Sequence, residues 1–256
     1  MNNFNSSELA KYIRINSIKM TSAARSSHIG SCLSVADLLA VCLLEGKSNS
    51  LKIIFSKGHA AAAYYAGLAG TNIISEDSLG KFSKNGSNLI GHVNHHVKGI
   101  EFSSGSLGHG IPFGVGLAIW DVKTKVCVIV SDGELNEGTT WESLAIASLH
   151  KLGNLIIIID LNNIQSFGST KDVLNLDPLE DKLISFGCEV KIIDGHSVYE
   201  IKNALNETSR LKPTIIIAQT IKGKGISFME NRLEWHYKSL SDENIPAAIE
   251  ELEKNA

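Results

Sequence analysis

Asp132 and Asn162 stand 30 positions apart, each at the end of an apolar run: KVCVIV (125–130) leads into SDGE, and NLIIIID (154–160) leads into LNN. A carboxylate and an amide oxygen are hard donors. They suit magnesium, which takes oxygen ligands, keeps several waters and shares its shell with substrate phosphates, and they make a poor zinc site. A phosphorylated ligand held through a divalent cation is the chemistry implied. Gly133 would let the backbone approach that ligand, and the helix expected after it would turn its N-terminal N–H groups toward a diphosphate. Asp-Gly and Asn-Asn are also ordinary turn pairs. Their placement after consecutive buried runs is what marks them as a site.

Histidine supplies the second set. His28, His59, His92 and His109 each have a glycine within two residues, so backbone and ligand could approach closely there. Imidazole is the side chain whose ordinary pKa lies nearest neutrality, which suits proton movement on hydroxyl and carbonyl oxygens. Any one of them alone is better read as a structural or surface histidine, and only as a set do they point to a site. His92, His95 and His96 are close in sequence, but no cysteine accompanies them and HVNHH reads as a loop, so zinc is not expected there. His95 and His96 are expected at the surface or a substrate rim, and His150 on a helix face.

These residues need a scaffold that brings distant segments to one edge. Leu9, Tyr12, Ile13 and Met20 recur at helical spacing after Ser6-Ser7, and SVADLLAVCLLE reads as a second helix with a capping-box start at Ser34 and Asp37. LKIIF (51–55) reads as a strand feeding the helix around AAAAYYAGLA. Three further strands are expected at 154–160, 188–193 and 214–220, besides 125–130, with helices at TWESLAIASLHK and VYEIKNALNETSR between them. Strands that are apolar without alternation are buried on both faces, as in a parallel sheet covered by helices. The expected fold is therefore α/β, doubly wound and mainly parallel, over 1–256 as a single domain. Asp132 and Asn162 then fall at the carboxyl edge, where such sheets bind ligands.

Composition narrows the classes. The chain has 256 residues, 43% hydrophobic, with a net charge of −3 and no basic cluster, which argues against disorder and against a nucleic-acid partner. Four well-separated cysteines do not make a disulfide framework; Cys42 and Cys127 read as buried thiols. The N-terminus lacks the apolar segment of a signal peptide, and no run approaches the ~20 residues of a membrane span. A reducing, cytoplasmic location and no membrane association are expected.

Asp-Gly-Glu followed about thirty residues later by Asn resembles the thiamine diphosphate motif, and SDGELNEGTTWES with LNNIQ resembles the transketolase family in particular. Further matches run in order: SSHIGSCLS (26–34), FSKGHA (55–60), GH (91–92), SSGSLGHG (103–110), DGH (194–196), TIKGKGISFMEN, and WH (235–236). The resemblance covers the family's diphosphate-binding domain. It implies thiamine diphosphate and Mg2+ as cofactors, with Asp132, Asn162 and the main-chain carbonyl of Ile164 as metal ligands and Gly133 donating to the diphosphate. It also puts His59 on the diphosphate, Gly105 and Leu107 against the cofactor rings, and His28, His92 and His236 at the reacting centre on sugar hydroxyls. His196 resembles a structural position. The match has departures. Ser131 replaces a glycine, Ile29 and Val93 stand where prolines often follow the histidines, and His109 stands where glutamine is frequent.

That family activates its cofactor with a glutamate on a second, pyrimidine-binding domain, usually across a subunit interface. After TIKGKGISFMEN this sequence offers a loop and one short helix with Ile245, Ala248, Ile249 and Leu252 at helical spacing, so that domain is expected on a separate polypeptide. The resemblance thus implies the amino-terminal subunit of a split, transketolase-like transferase moving a two-carbon ketol unit between sugars or sugar phosphates. Its partner would be a C-terminal (pyrimidine-domain) subunit, most simply in a heterotetramer. Glu137 and Glu142 lie in the stretch where the family forms its interface, and they equally suit a solvated helix surface. Two other readings stay open: a subunit of a different thiamine diphosphate enzyme, such as a ketoacid decarboxylase or dehydrogenase, and a catalytically silent cofactor-binding subunit.

Overall fold

The computed structural model describes residues 3–48 and 51–254. Five strands, β1 (Leu51–Phe55), β2 (Lys125–Ser131), β3 (Leu155–Leu161), β4 (Glu189–Asp194) and β5 (Thr214–Gln219), form one sheet in the order β1-β2-β3-β5-β4. Every pairing is parallel, with Ser131 opposite Asp160 and Leu161 opposite Gln219 at the carboxyl edge.

Side chains alternate across this sheet, so its uniformly apolar strands feed two cores. Cys127, Ile129, Ile156, Ile158 and Ile216 face α1 (Ser6–Ala23), α3 (Ala36–Ser48), α4 (Ala61–Gly70), α9 (Val198–Asn206) and α10 (Ile245–Lys254). Between α1 and α3 lies the short α2 (Ile29–Ser34). Val126, Val128, Val130, Ile157 and Ile215 face α5 (Gly110–Trp120), α6 (Gly138–Leu149) and α8 (Leu179–Ser185). A further helix, α7 (Thr170–Leu174), lies near the carboxyl edge. Among the described residues no helix is long and apolar enough to cross a membrane. All four cysteines are buried and free.

Three local expectations change. Two opening helices become three, because SSHIGSCLS contributes α2. The cap of α1 is Asn5, which exchanges hydrogen bonds with Glu8 in a capping box. Ser34 and Asp37 make no capping box. Ser34 closes α2 and donates its hydroxyl to Asp160, while Asp37 turns to Arg14 and His196.

The helix α4 is buried on all sides, as its composition requires. Its two tyrosines keep their hydroxyls satisfied by reaching the long connection between α4 and α5: Tyr64 donates to the Gly99 carbonyl at 3.1 Å and Tyr65 to the His92 carbonyl at 2.9 Å. The core thereby fixes the backbone of a site residue in a segment with little regular structure.

Candidate active site

Asp132 and Asn162 each lie one residue past the end of a strand, β2 and β3, which are hydrogen-bonded neighbours running the same way. Both therefore emerge at the same edge. Asp132 accepts from the N–H groups of Gly133 (2.8 Å) and Asn163 (2.9 Å), and Asn162 Oδ1 accepts from Ile164 N–H at 3.2 Å. The helix expected at TWESLAIASLHK follows Asp132 after a short connection. A 3-10 turn over Asp132–Asn136 intervenes and α6 begins at Gly138.

A cavity of about 390 Å³ opens here, and all ten site residues singled out from the sequence line it. Asp132, Gly133, Asn162 and Ile164 form one wall, His28, His59, His92 and His236 another, and Gly105 with Leu107 a third. Burial raises the Asp132 carboxyl to about 6, against the opposing pull of Lys57. A buried carboxylate so placed gains from a cation beside it. With Asn162 Oδ1 and the Ile164 carbonyl it makes an all-oxygen set that fits magnesium. Among the described residues no cluster of three or more His, Cys, Asp or Glu is arranged to hold a metal.

Two buried lysines, which the sequence reading missed, border this wall. Lys57, just past β1, bonds to Asp160 and to Ser34 Oγ, and Asp160 also takes the Thr220 hydroxyl. Both members of the ion pair are fully buried, so each depends on the other and on these hydroxyls. Lys222 donates to the Ile164 carbonyl at 3.0 Å and contacts His236 Nδ1 at 2.8 Å. Burial lowers its ammonium to about 8, with Lys57 adding to the shift and Asp132 and Asp160 opposing it. A carbonyl oxygen has two lone pairs, so the Lys222 bond leaves one on Ile164 for a metal. The available signal was the setting of these lysines in SKGH and TIKGKG, beside glycines at strand exits.

The four histidines pack ring against ring. His28 lies 5.0 Å from His236, 5.3 Å from His59 and 6.0 Å from His92 between ring centroids. His28 holds left-handed backbone (φ 76°) while its N–H donates to the His236 carbonyl at 3.0 Å. That conformation costs roughly 1–2 kcal/mol for a side chain of this kind, and here it coincides with an imidazole on the cavity wall. Burial lowers His28 to about 4 and His236 to about 3, with the neighbouring cations adding to both shifts. Burial also lowers His59 and His92. The cluster is a set of neutral imidazoles at pH 7, each offering one donor and one acceptor.

Glu134, the third residue of the Asp-Gly-Glu motif, braces the opposite wall. Fully buried, it accepts from Ser56 Oγ, from Gly108 N–H at 3.1 Å and from Ser131 N–H at 2.9 Å. Ser56 in turn accepts from Gly110 N–H. The 105–110 segment is thus tied to the ends of β1 and β2. Gly105 has φ 153°, disfavoured for any side chain, and a Cβ there would point at the His92 ring. His95, His96, His109, His150, Glu137 and Glu142 are exposed. Of these, Glu137 alone reaches the cavity lining.

Residues 5–255 match the family model described as transketolase, thiamine diphosphate binding domain. The chain is also 41% identical over 240 residues to one of the subunits of the apulose-4-phosphate transketolase of Actinobacillus succinogenes, covering 88% of this chain and 87% of that protein. The chain belongs to the transketolase family. It is 35% identical to the 6-deoxy-6-sulfo-D-fructose transketolase subunit SqwG of Clostridium sp. (strain MSTE9), 88% of which it covers. Human transketolase is 34% identical, but the chain spans only 41% of its length. The fold superimposes on the crystal structure of Campylobacter jejuni transketolase with a TM-score of 0.89 at 32% identity, covering 97% of this chain and 42% of that one. Within the transketolase family it therefore corresponds to the thiamine diphosphate-binding part.

Proposed function

We propose that this chain is the amino-terminal subunit of a split transketolase, transferring a two-carbon ketol unit between sugars or sugar phosphates with thiamine diphosphate and magnesium. The observation that carries the reading is one cavity holding both an all-oxygen edge beside two buried ammonium groups and a cluster of neutral imidazoles. Asp132, Asn162 and Ile164 would hold the metal, with Gly133, His59 and Lys222 toward the diphosphate and Gly105 and Leu107 against the cofactor rings. When bound, thiamine diphosphate supplies the carbanion stabilisation that ketol transfer needs. His28, His92 and His236 bind and orient sugar hydroxyls and move protons on and off them, as neutral imidazoles can do in both directions.

The partner is a C-terminal, pyrimidine-domain polypeptide, in a heterotetramer. This chain covers most of two relatives that are themselves named as subunits and less than half of human transketolase, which supports a two-chain enzyme. Exposed apolar residues on α5 and α6 fit such an assembly: Trp120 (80% exposed), Leu149 (76%), Ile146 and Phe113. Free buried cysteines fit a cytoplasmic location.

The test is transfer from a ketose to an aldose, assayed with each chain alone and with both. Activity should need both chains and saturate at a fixed ratio. Robust turnover by this chain alone would overturn the split reading, and inactivity of the assembled pair toward every ketose would leave a different thiamine diphosphate reaction.

A further inference from the structure

A chain of directional hydrogen bonds runs from Arg14 on α1 to the Ile221 amide, which precedes Lys222. Asp37 on α3 is buried and accepts both terminal nitrogens of Arg14 from α1, Nη1 at 3.2 Å and Nη2 at 2.5 Å. It also accepts from His196 Nδ1 at 2.7 Å. The other ring nitrogen of His196, Nε2, takes the main-chain N–H of Ile221 at 2.9 Å. An amide N–H can only donate, so Nε2 must carry a lone pair and Nδ1 the hydrogen. Asp37, an acceptor in every bond it makes here, matches that arrangement. Burial opposes the Asp37 charge, but Arg14 and His196 outweigh it and hold the carboxyl at about 2.

The residue after Ile221 is Lys222, whose ammonium reaches the Ile164 carbonyl and His236 Nδ1. Its neighbours are anchored too. Thr220 N–H donates to the Leu161 carbonyl and Gly223 N–H to the Gly30 carbonyl, both at 3.0 Å. Without His196 the Ile221 amide, between these anchors, would lose its acceptor. A fully buried lysine has little room to correct a misplaced backbone, because its stem lies across Gly30, where even a Cβ would sit 3.2 Å from Lys222 Cγ.

We infer that His196 is a positioning residue for Lys222, acting through the Ile221 amide, with Arg14 and Asp37 fixing its tautomer. His196 itself does not line the cavity. The inference rests on the proposed cofactor site for its functional consequence, since Lys222 would face the diphosphate and the metal-binding carbonyl of Ile164. Groups placed behind the residues that touch a cofactor commonly contribute 10- to 100-fold to its affinity.

His196→Asn separates the two bonds, because its amide nitrogen can replace Nδ1 toward Asp37 while nothing replaces Nε2. His196→Ala removes both. Two measurements are made: calorimetry of the chain assembled with its partner subunit, with thiamine diphosphate and magnesium, and the 15N shift of His236 Nδ1 in the full chain, which reports the Lys222 contact with no cofactor present. His196→Asn should shift the His236 signal and weaken cofactor binding about 10-fold. It should cost little more in a Lys222→Met background, as coupling through Lys222 requires. An unmoved His236 signal with wild-type affinity overturns the inference, as does a loss fully additive with Lys222→Met. Failure of the assembled wild-type pair to bind the cofactor would refute the site reading instead, and the His236 signal would still decide the positioning role.

Discussion

Lys222 Nζ lies 2.8 Å from His236 Nδ1, which sets the proton on that ring. An ammonium only donates, so Nδ1 must accept and the ring hydrogen sits on Nε2. The same cation, together with burial, keeps His236 from taking a second proton. Burial and this lysine together hold the ring neutral, and the lysine fixes the polarity of a group proposed to handle substrate.

The histidine cluster should resist protonation. NMR titration of the apo chain should place His28 near pH 4 and His236 near pH 3, below the 6.5 of a free imidazole. The unfolded chain takes up these protons near 6.5 and the folded chain does not. Stability is therefore unaffected above that pH and falls as the pH drops below about 6.5, down to about 4 for the His28 contribution and about 3 for that of His236. Midpoints near 6.5 for both rings would show that the cluster is not desolvated.

Asp132→Ala should abolish magnesium-dependent binding of thiamine diphosphate, since the remaining donors are two neutral oxygens. Calorimetry with and without magnesium reads this directly. Unchanged affinity in that variant would move the metal elsewhere.

Alanine at His28, His92 or His236 should lower turnover of the assembled enzyme by about 10²-fold or more, with a smaller effect on cofactor affinity. His59→Ala should show the opposite balance. Steady-state kinetics across a cofactor titration separates the two classes, and variants that lose cofactor binding yet turn over normally at saturation would reverse the roles.

Lys57→Met should destabilise the fold by about 3–5 kcal/mol, because it leaves the Asp160 carboxylate buried with only hydroxyl partners. Denaturant unfolding at pH 7 measures it. A loss below about 1 kcal/mol, the level of an exposed pair, would mean that the pair is not desolvated in solution.

The strands were legible because β-branched runs bounded by glycine and polar clusters have few alternatives, and Asp132 with Asn162 followed from strand ends alone. The histidines were not legible that way. Their approach in space joins segments around 28, 59, 92 and 236, and ordered family motifs, not spacing, suggested it. Lys57, Lys222 and Asp160 were missed because lysine and aspartate ordinarily belong to the surface, and their burial depends on partners such as Lys57 and Asp160 at the ends of different strands. Ser34 looked like a helix cap because its true acceptor, Asp160, lies far along the chain.

The sheet order carries a consequence for biosynthesis. Among the described residues β4 pairs only with β5, which follows it in the chain and lies between it and β3. While the chain emerges from the ribosome, β4 has no neighbour to join and β3 keeps a bare apolar edge until residues 214–219 arrive. A product truncated before Thr214 would thus expose an unpaired strand able to template aggregation. Lys222 and His236 come later still, so the cavity takes its final form only after the sheet has closed, and a partly made chain cannot sequester cofactor.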